Sequence, residues 1–447
     1  MYLVAVPILV DWIFYKNKRK SKLLIQMGYI CGGIGLSALL IHLFTEGYRL
    51  QMVPLYILSI WVLVQSLRRA SKPSSKWLYI RRRKLTVLLL AFILAFPILL
   101  PVFSFPAPGG PLKVGVTKLH LVNQKKKEII PGHEDKQREM MLSVWYPADA
   151  AGTENRPWTF FDIMHQIMRA DGFPTFSYQY FKYIDTHSIE NVEIAKASAK
   201  YPVILFLHGF PGMSTQSIPL VEELASQGYV VVAPDFTHVS AAPEFPDGRV
   251  VTMEKGLLEL QKPQLNQILK YWVQDISFII DELEQMNLSK SNHILAGKLD
   301  LNQVGVLGHS FGGSTAMHAL LADDRVAAGM SMDAPAYGDM SQDMVLTKPF
   351  LIMDASESDW DMDVKRGIFK NMTAEGYMVM LDGADHDSFT NYPLESPLFA
   401  SLFINKYHAH QLINEYAVAF FDRHLLGKDG DLLDQASHDP KVSFQTN

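Results

Sequence analysis

Apolar residues along this chain fall into three kinds of run, and each kind predicts a different element. Tyr201–Leu207, Gly228–Pro234, Val304–Leu307, Ala327–Met332, Pro349–Met353 and Tyr377–Leu381 are short and continuously apolar or small, as a strand buried on both faces of a parallel sheet must be. Leu112–Asn123 and Met140–Tyr146 alternate instead, and they flank a charged stretch, Lys125-Lys-Lys-Glu128. That pattern predicts two strands joined by a turn with the lysines solvated at its tip. Ser217–Gln227 and Leu257–Asn287 carry apolar residues at helical spacing, among them Ile268, Trp272, Ile276, Ile279, Ile280 and Leu283, so each predicts a helix lying on a sheet face. Strands alternating with helices indicate an α/β domain whose mostly parallel sheet is flanked by helices.

The first hundred residues read differently. Four apolar segments, Tyr2–Tyr15, Leu23–Phe44, Met52–Leu67 and Leu85–Phe105, are separated by basic loops at 16–22 and 68–84 and by the nearly neutral Thr45–Arg49. The second and fourth are long enough to cross a hydrocarbon core of about 30 Å. Residues 1–105 carry 14 Lys/Arg against Asp11 and Glu46, so the chain's net charge of −5 combines a basic first part with an acidic remainder. Basic loops belong on the cytoplasmic side, and four spans then place everything after Pro106 outside. The expected organisation is a membrane region of about four transmembrane helices over 1–105, a Pro/Gly-rich linker at 106–111 and a catalytic domain over 112–447. The expected location is a cell membrane, multi-pass, with the catalytic domain extracytoplasmic. The acidic second part argues against a nucleic-acid partner. Cys31 is the single cysteine, which excludes an intrachain disulfide and a cysteine-type zinc site.

The chemistry centres on Val304–Ala316, where a short strand runs into Gly308-His309-Ser310-Phe311-Gly312 and then into small helix-forming residues. A serine on so sharp a turn is held in a strained backbone, and residues two before and two after it must lack a Cβ. Gly308 and Gly312 meet that need. A serine hydroxyl is a weak nucleophile at neutral pH and needs an imidazole oriented by a carboxylate. With the elbow first, the acid and then the histidine follow in chain order. His386, in the polar loop Gly383–Phe389 after the last clear strand, is the candidate base, while His318 falls within the elbow helix and the later histidines lie in a helical or tail segment. Two strand ends offer an acid, Asp333 on one and Asp354, Glu357 or Asp359 on the next, and periodicity does not choose between them. His208-Gly209-Phe210-Pro211-Gly212 ends another buried strand and can bring backbone N–H groups to a substrate oxygen. The aromatic and methionine-rich stretch Trp158–Ile184 reads equally as a lid or acyl-chain wall and as a helix packed on the body.

The Gly-His-Ser-Phe-Gly-Gly elbow, its lead-in Leu299–Leu307, the His208-Gly209 loop and Met332-Asp333-Ala334 together resemble the platelet-activating-factor acetylhydrolase family. The resemblance covers roughly residues 112 to 390. It implies an α/β-hydrolase fold and a calcium-independent serine phospholipase that releases short or oxidised sn-2 acyl groups without a cofactor or metal. It also implies Asp333 as the acid, with Phe210 and Phe311 supplying oxyanion-hole amides. Asp359 remains the alternative acid, at the position that cutinase-like and dienelactone-hydrolase-like enzymes use. The partner implied is an ester or lipid substrate. Two other functions stay open, a carboxylesterase acting on soluble esters and a non-catalytic membrane sensor that keeps the fold.

Overall fold

A computed structural model describes residues 22–45, a few positions between 47 and 91, and 103–447 apart from 150–155, 289–292, 359, 436 and 438. The chain divides into two compact units, Met1–Val102 with Pro174–Phe181, and Phe103–Phe173 with Lys182–Asn447.

In the first unit the principal described element is the 24-residue helix Lys22–Thr45. Its sequence intersperses Gln26, Gly28, Gly32, Gly33, Gly35, Ser37 and His42 among the apolar residues. No helix among the described residues is long and apolar enough to cross a membrane. This corrects the expected transmembrane region and, with it, the multi-pass cell-membrane location. Tyr2–Tyr15 lies outside the described residues, and Met52–Leu67 and Leu85–Phe105 are described only in fragments.

The second unit is built on a sheet of 11 strands: β1 Lys113–Lys127, β2 Gln137–Ala148, β3 Pro157–Thr159, β4 Asp185–Glu190, β5 Tyr201–Leu207, β6 Val230–Phe236, β7 Leu299–His309, β8 Val326–Met332, β9 Phe350–Ala355, β10 Gly376–Leu381 and β11 Val442–Thr446. Their order is β11-β10-β9-β8-β7-β5-β6-β2-β1-β4-β3. From β10 across to β6 the neighbours are parallel, and β2 and β11 pair antiparallel on either side. All seven residues of β5 are buried, the reason its sequence reads as one apolar run rather than alternating.

Helices cover both faces. On one, the helix Lys262–Leu288 buries Ile268, Trp272, Ile276, Ile279, Ile280 and Leu283, where Trp272 stacks on Phe236 at 3.7 Å and meets Phe311 edge-on at 5.0 Å. Full burial of each such side chain contributes about 1.5–3 kcal/mol. The opposite helix, Lys406–Leu426, comes so close to β7 that a Cβ on Gly305 would lie 2.6 Å from the Phe421 ring.

Two local expectations change. The expected helix from Leu257 opens as a 3-10 turn, Lys255–Glu259, and the α-helix begins at Lys262. The lysine run closes β1, where Lys125 and Lys127 are exposed as expected of a solvated tip but Lys126 is not. Lys126 Nζ donates to Asp275 Oδ1 at 2.9 Å, and Arg138 bridges Asp275 and Glu128 at 2.7 and 2.6 Å. Asp275 and Arg138 are fully buried, so the charges must pair with one another. This knot ties the β1–β2 hairpin to the long helix.

Candidate active site

The parallel strands end along one edge of the sheet, and the residues singled out by the elbow pattern converge there. β7 ends at His309, and Ser310 turns the chain with φ 56° and ψ −124°, a conformation that costs on the order of 1–3 kcal/mol unless its surroundings impose it. They do so by close approach. A Cβ on Gly308 would fall 2.3 Å from the Gly312 carbonyl carbon, and one on Gly312 would fall 2.2 Å from the Leu207 oxygen. The Ser310 amide donates to the Met332 carbonyl at 2.8 Å, which fixes the elbow to the end of β8. The helix Phe311–Ala322 then starts at once, so its free N–H groups face the turn.

Asp333 follows β8 directly, itself in a left-handed conformation with φ 46°, its amide donating to the Met353 carbonyl at 2.7 Å. Its carboxylate is fully buried and accepts three hydrogen bonds, from the Ala355 amide at 3.1 Å, Ser358 Oγ at 2.8 Å and His386 Nδ1 at 2.5 Å. Burial pushes this carboxyl up, but the bonds from His386, Ser358 and Ala355 outweigh it and hold it below the ordinary aspartate value. An ionised carboxylate only accepts, so Nδ1 of His386 carries the proton and Nε2 keeps its lone pair. His386 opens a 3-10 turn after β10, where Asp385 caps the Ser388 amide at 3.0 Å. Its ring lies between Trp360, at 4.3 Å, and His309, at 4.4 Å.

Of the other candidate acids, the two described have other surroundings. Asp354 is buried in β9 and pairs with the equally buried Lys365 at 2.8 Å. Burial pushes its carboxyl up to about 6 even though Lys365 opposes this. Glu357 is exposed, and Asp359 lies outside the described residues. His318 bonds the Tyr337 carbonyl at 3.1 Å, within the elbow helix.

The loop after β5 sits against the elbow, because a Cβ on Gly209 would lie 3.3 Å from Ser310 Cβ. Here the structure adds two residues that sequence reasoning missed. His309 Nε2 lies 3.1 Å from the His386 carbonyl oxygen. A carbonyl only accepts, so Nε2 donates, and Nδ1 must accept from Gln216 Nε2 at 3.0 Å. Gln216 Oε1 in turn accepts the Gly209 amide at 3.1 Å. One chain of hydrogen bonds thus joins the β5 loop, the elbow and the segment carrying His386. Only the position of His309 inside the pentapeptide hinted at this.

Phe210, Phe311, Tyr337 and Trp360 give the site an apolar side. Phe311 lies 5.6 Å from Phe210 and 5.3 Å from Tyr337. A cleft of about 400 Å³ is lined by Pro335, Tyr337, Trp360 and Asp361. Of the aromatic stretch 158–184, the helix Phe160–Ala170 lines a different, small cavity through Ile163, Gln166 and Ile167, together with Met213–Thr215. That part of the stretch packs on the body.

Two buried imidazoles outside direct catalysis set a pH dependence of stability. Burial, and for His309 also the neighbouring His386, lowers His309 to about 3, and burial lowers His410 to about 4, against an ordinary 6.5. Between these values the unfolded chain binds more protons than the folded one, so stability rises with pH and is lost as pH falls from about 6.5 toward 4. The loss amounts to at most about 1.4 kcal/mol per pH unit for each group. Buried Glu222 and Glu395, whose carboxyls burial pushes up to about 7, contribute with the opposite sign in this range, so the test is a difference. Urea midpoints from pH 7 to pH 4 should fall less steeply in His410→Gln than in the wild type, and identical pH dependence in the two would contradict the burial argument.

A model of the family "Platelet-activating factor acetylhydrolase, isoform II" matches residues 101–442. Among curated relatives, a platelet-activating factor acetylhydrolase from Gallus gallus is 24% identical over 74% of this chain and 86% of its own length. A probable 1-alkyl-2-acetylglycerophosphocholine esterase from Arthroderma benhamiae is 27% identical over 53% of this chain and 60% of its own. Among solved structures, a ferulic acid esterase from Streptomyces cinnamoneus superposes with a TM-score of 0.64 at 24% identity, covering 76% of this chain and 99% of that one, which bears on the fold alone. With a family match over most of its length and a hydrolase sheet beneath it, this chain belongs to the platelet-activating factor acetylhydrolase isoform II family and is a serine ester hydrolase.

Proposed function

We propose that the protein is a calcium-independent phospholipid acyl hydrolase that removes short acyl groups from the sn-2 position, with Ser310, His386 and Asp333 as its catalytic triad. Ser310 Oγ attacks the ester carbonyl while His386 Nε2 takes its proton. Asp333 holds the imidazole in the tautomer that leaves Nε2 free and stabilises the imidazolium as it forms. The Phe210 and Phe311 amides receive the charge on the carbonyl oxygen, at roughly 3 kcal/mol per donor in comparable sites. His386 then gives its proton to the leaving lysophospholipid alcohol, and water releases the acyl group from Ser310 by the same steps in reverse order of partners.

The observation that carries this reading is the 2.5 Å bond from His386 to a fully buried Asp333, at a strand end to which the Ser310 amide is also tied. The substrate class is supported by the names of the Gallus gallus and Arthroderma benhamiae relatives, and the cleft bounded by Tyr337 and Trp360 suits a short acyl group. The same two aromatic rings give a second reading, an esterase for aryl or aromatic acyl esters in solution. Purified protein tested on glycerophosphocholines bearing 2-acetyl, 2-butyryl and 2-palmitoyl groups, with aryl acetates alongside and with or without EGTA, separates the two. The proposal expects turnover to fall steeply with acyl length and to ignore EGTA. Equal rates on the palmitoyl lipid, or activity on aryl esters alone, would overturn it.

A further inference from the structure

Outside the ester-cleaving site, the β1–β2 hairpin and the connection that follows β6 bring His133, His238 and Glu254 together, with one ligand-capable atom from each within 4.8 Å of the others. We infer that this cluster is a binding site for a divalent transition metal of the zinc type, clamping the β1–β2 hairpin to the two loops that follow β6. The backbone is fixed at each point. His133 is held in the hairpin by its amide to the Ile130 carbonyl at 3.0 Å, and the Lys136 amide closes the turn onto the His133 carbonyl at 2.9 Å. His238 adopts a left-handed conformation, φ 66°, rare for a residue with a Cβ, and its carbonyl accepts the Glu254 amide at 2.9 Å.

The two imidazoles stack face to face, with ring centroids 3.6 Å apart and planes 15° apart. His133 Nε2 and Glu254 Oε1 are 2.7 Å apart, but Nδ1 of His133 and Nδ1 of His238 are both buried without a hydrogen-bond partner. A buried unsatisfied nitrogen costs about 1–3 kcal/mol, and here two occur on adjacent rings. His238 is 5% exposed, its ring covered by that of His133. A cation among the three would take one nitrogen from each imidazole, and because an imidazole binds a metal through the lone pair in its ring plane, the two rings must turn out of this stack to share it.

The donor set decides the class of ion. Two imidazoles and one carboxylate suit zinc or its close neighbours, whereas calcium and magnesium take oxygen ligands. Glu254 leaves the site partly open, its side chain 43% exposed, which provides an entry path and room for a water in a fourth position. The sequence offers no spacing signature, since His133 lies in the hairpin, far in sequence from the connection that carries His238 and Glu254, and His238 reads there as a structural residue.

The test uses the full chain stripped with EDTA, then titrated with ZnCl2 against a chromophoric chelator and, separately, with CoCl2 followed by visible absorption. We expect one equivalent of zinc and a cobalt spectrum of tetrahedral nitrogen and oxygen coordination, both retained in His386→Ala, which removes the competing imidazole. His133→Gln, His238→Gln and Glu254→Gln should each weaken binding by more than about tenfold, since even changes beyond the ligands cost that much. Should a glutamine variant fail to fold, the wild-type and His386→Ala titrations still decide. Absence of tight zinc binding by the wild type, its loss in His386→Ala, or unchanged affinity in folded His133→Gln and His238→Gln overturns the inference.

Discussion

Replacing Ser310 with alanine is expected to lower turnover of a 2-acetyl phospholipid by about a millionfold and leave the protein folded. The first half follows from chemistry. Without Oγ there is no acyl-enzyme, and what survives is the rate that amide donors and binding alone give, roughly 10³–10⁴ over water. The second half follows from geometry. Ser310 is 9% exposed, its strained turn is imposed by Gly308, Gly312 and the amide bond to Met332, and removing Oγ disturbs none of these. Turnover and thermal unfolding measured on the same preparation check both halves. An inactive but unfolded variant would not support the assignment, and an active one would remove it.

Asp333→Asn should cost about 10⁴ in kcat, the loss expected when an orienting carboxylate becomes an amide. An asparagine places an NH2 either where Oδ2 now accepts from both Ser358 Oγ and His386 Nδ1, or where Oδ1 accepts from the Ala355 amide. If the amide turns its NH2 to His386, the imidazole must accept at Nδ1, and the proton moves to Nε2, the atom that has to stay free. If the NH2 takes the place of Oδ1 instead, the buried Ala355 amide loses its acceptor at about 1–3 kcal/mol of stability. kcat and urea midpoints on Asp333→Asn and Asp359→Asn together test this. The expectation is a large loss for the first and near wild-type turnover for the second, and the reverse pattern would make Asp359 the acid.

The sheet was legible because buried parallel strands leave a simple trace. β5, β8, β9 and β10 are the apolar runs Tyr201–Leu207, Ala327–Met332, Pro349–Met353 and Tyr377–Leu381 to within a residue or two. The elbow was legible because two glycines are sterically compulsory around Ser310. Choosing between strand ends was not, since Asp333 and Asp354 both close buried strands, and only their partners, His386 for one and Lys365 for the other, tell them apart. Gln216 and His309 escaped for a related reason: they act through side-chain bonds to groups 93 and 77 residues away in sequence. Lys126 looked solvated until its partner, Asp275, 149 residues on, was seen. The membrane expectation rested on hydropathy read as a run, and no helix among the described residues is long and apolar enough to cross a membrane.

The most direct test is to treat the purified protein with a fluorophosphonate and locate the adduct by peptide mass spectrometry. The proposal predicts one stoichiometric adduct, on the peptide containing Gly308-His309-Ser310-Phe311-Gly312, formed rapidly by the wild type, slowly by Asp333→Asn and not at all by Ser310→Ala. An adduct on another residue, or an active enzyme that remains unlabelled, would contradict it.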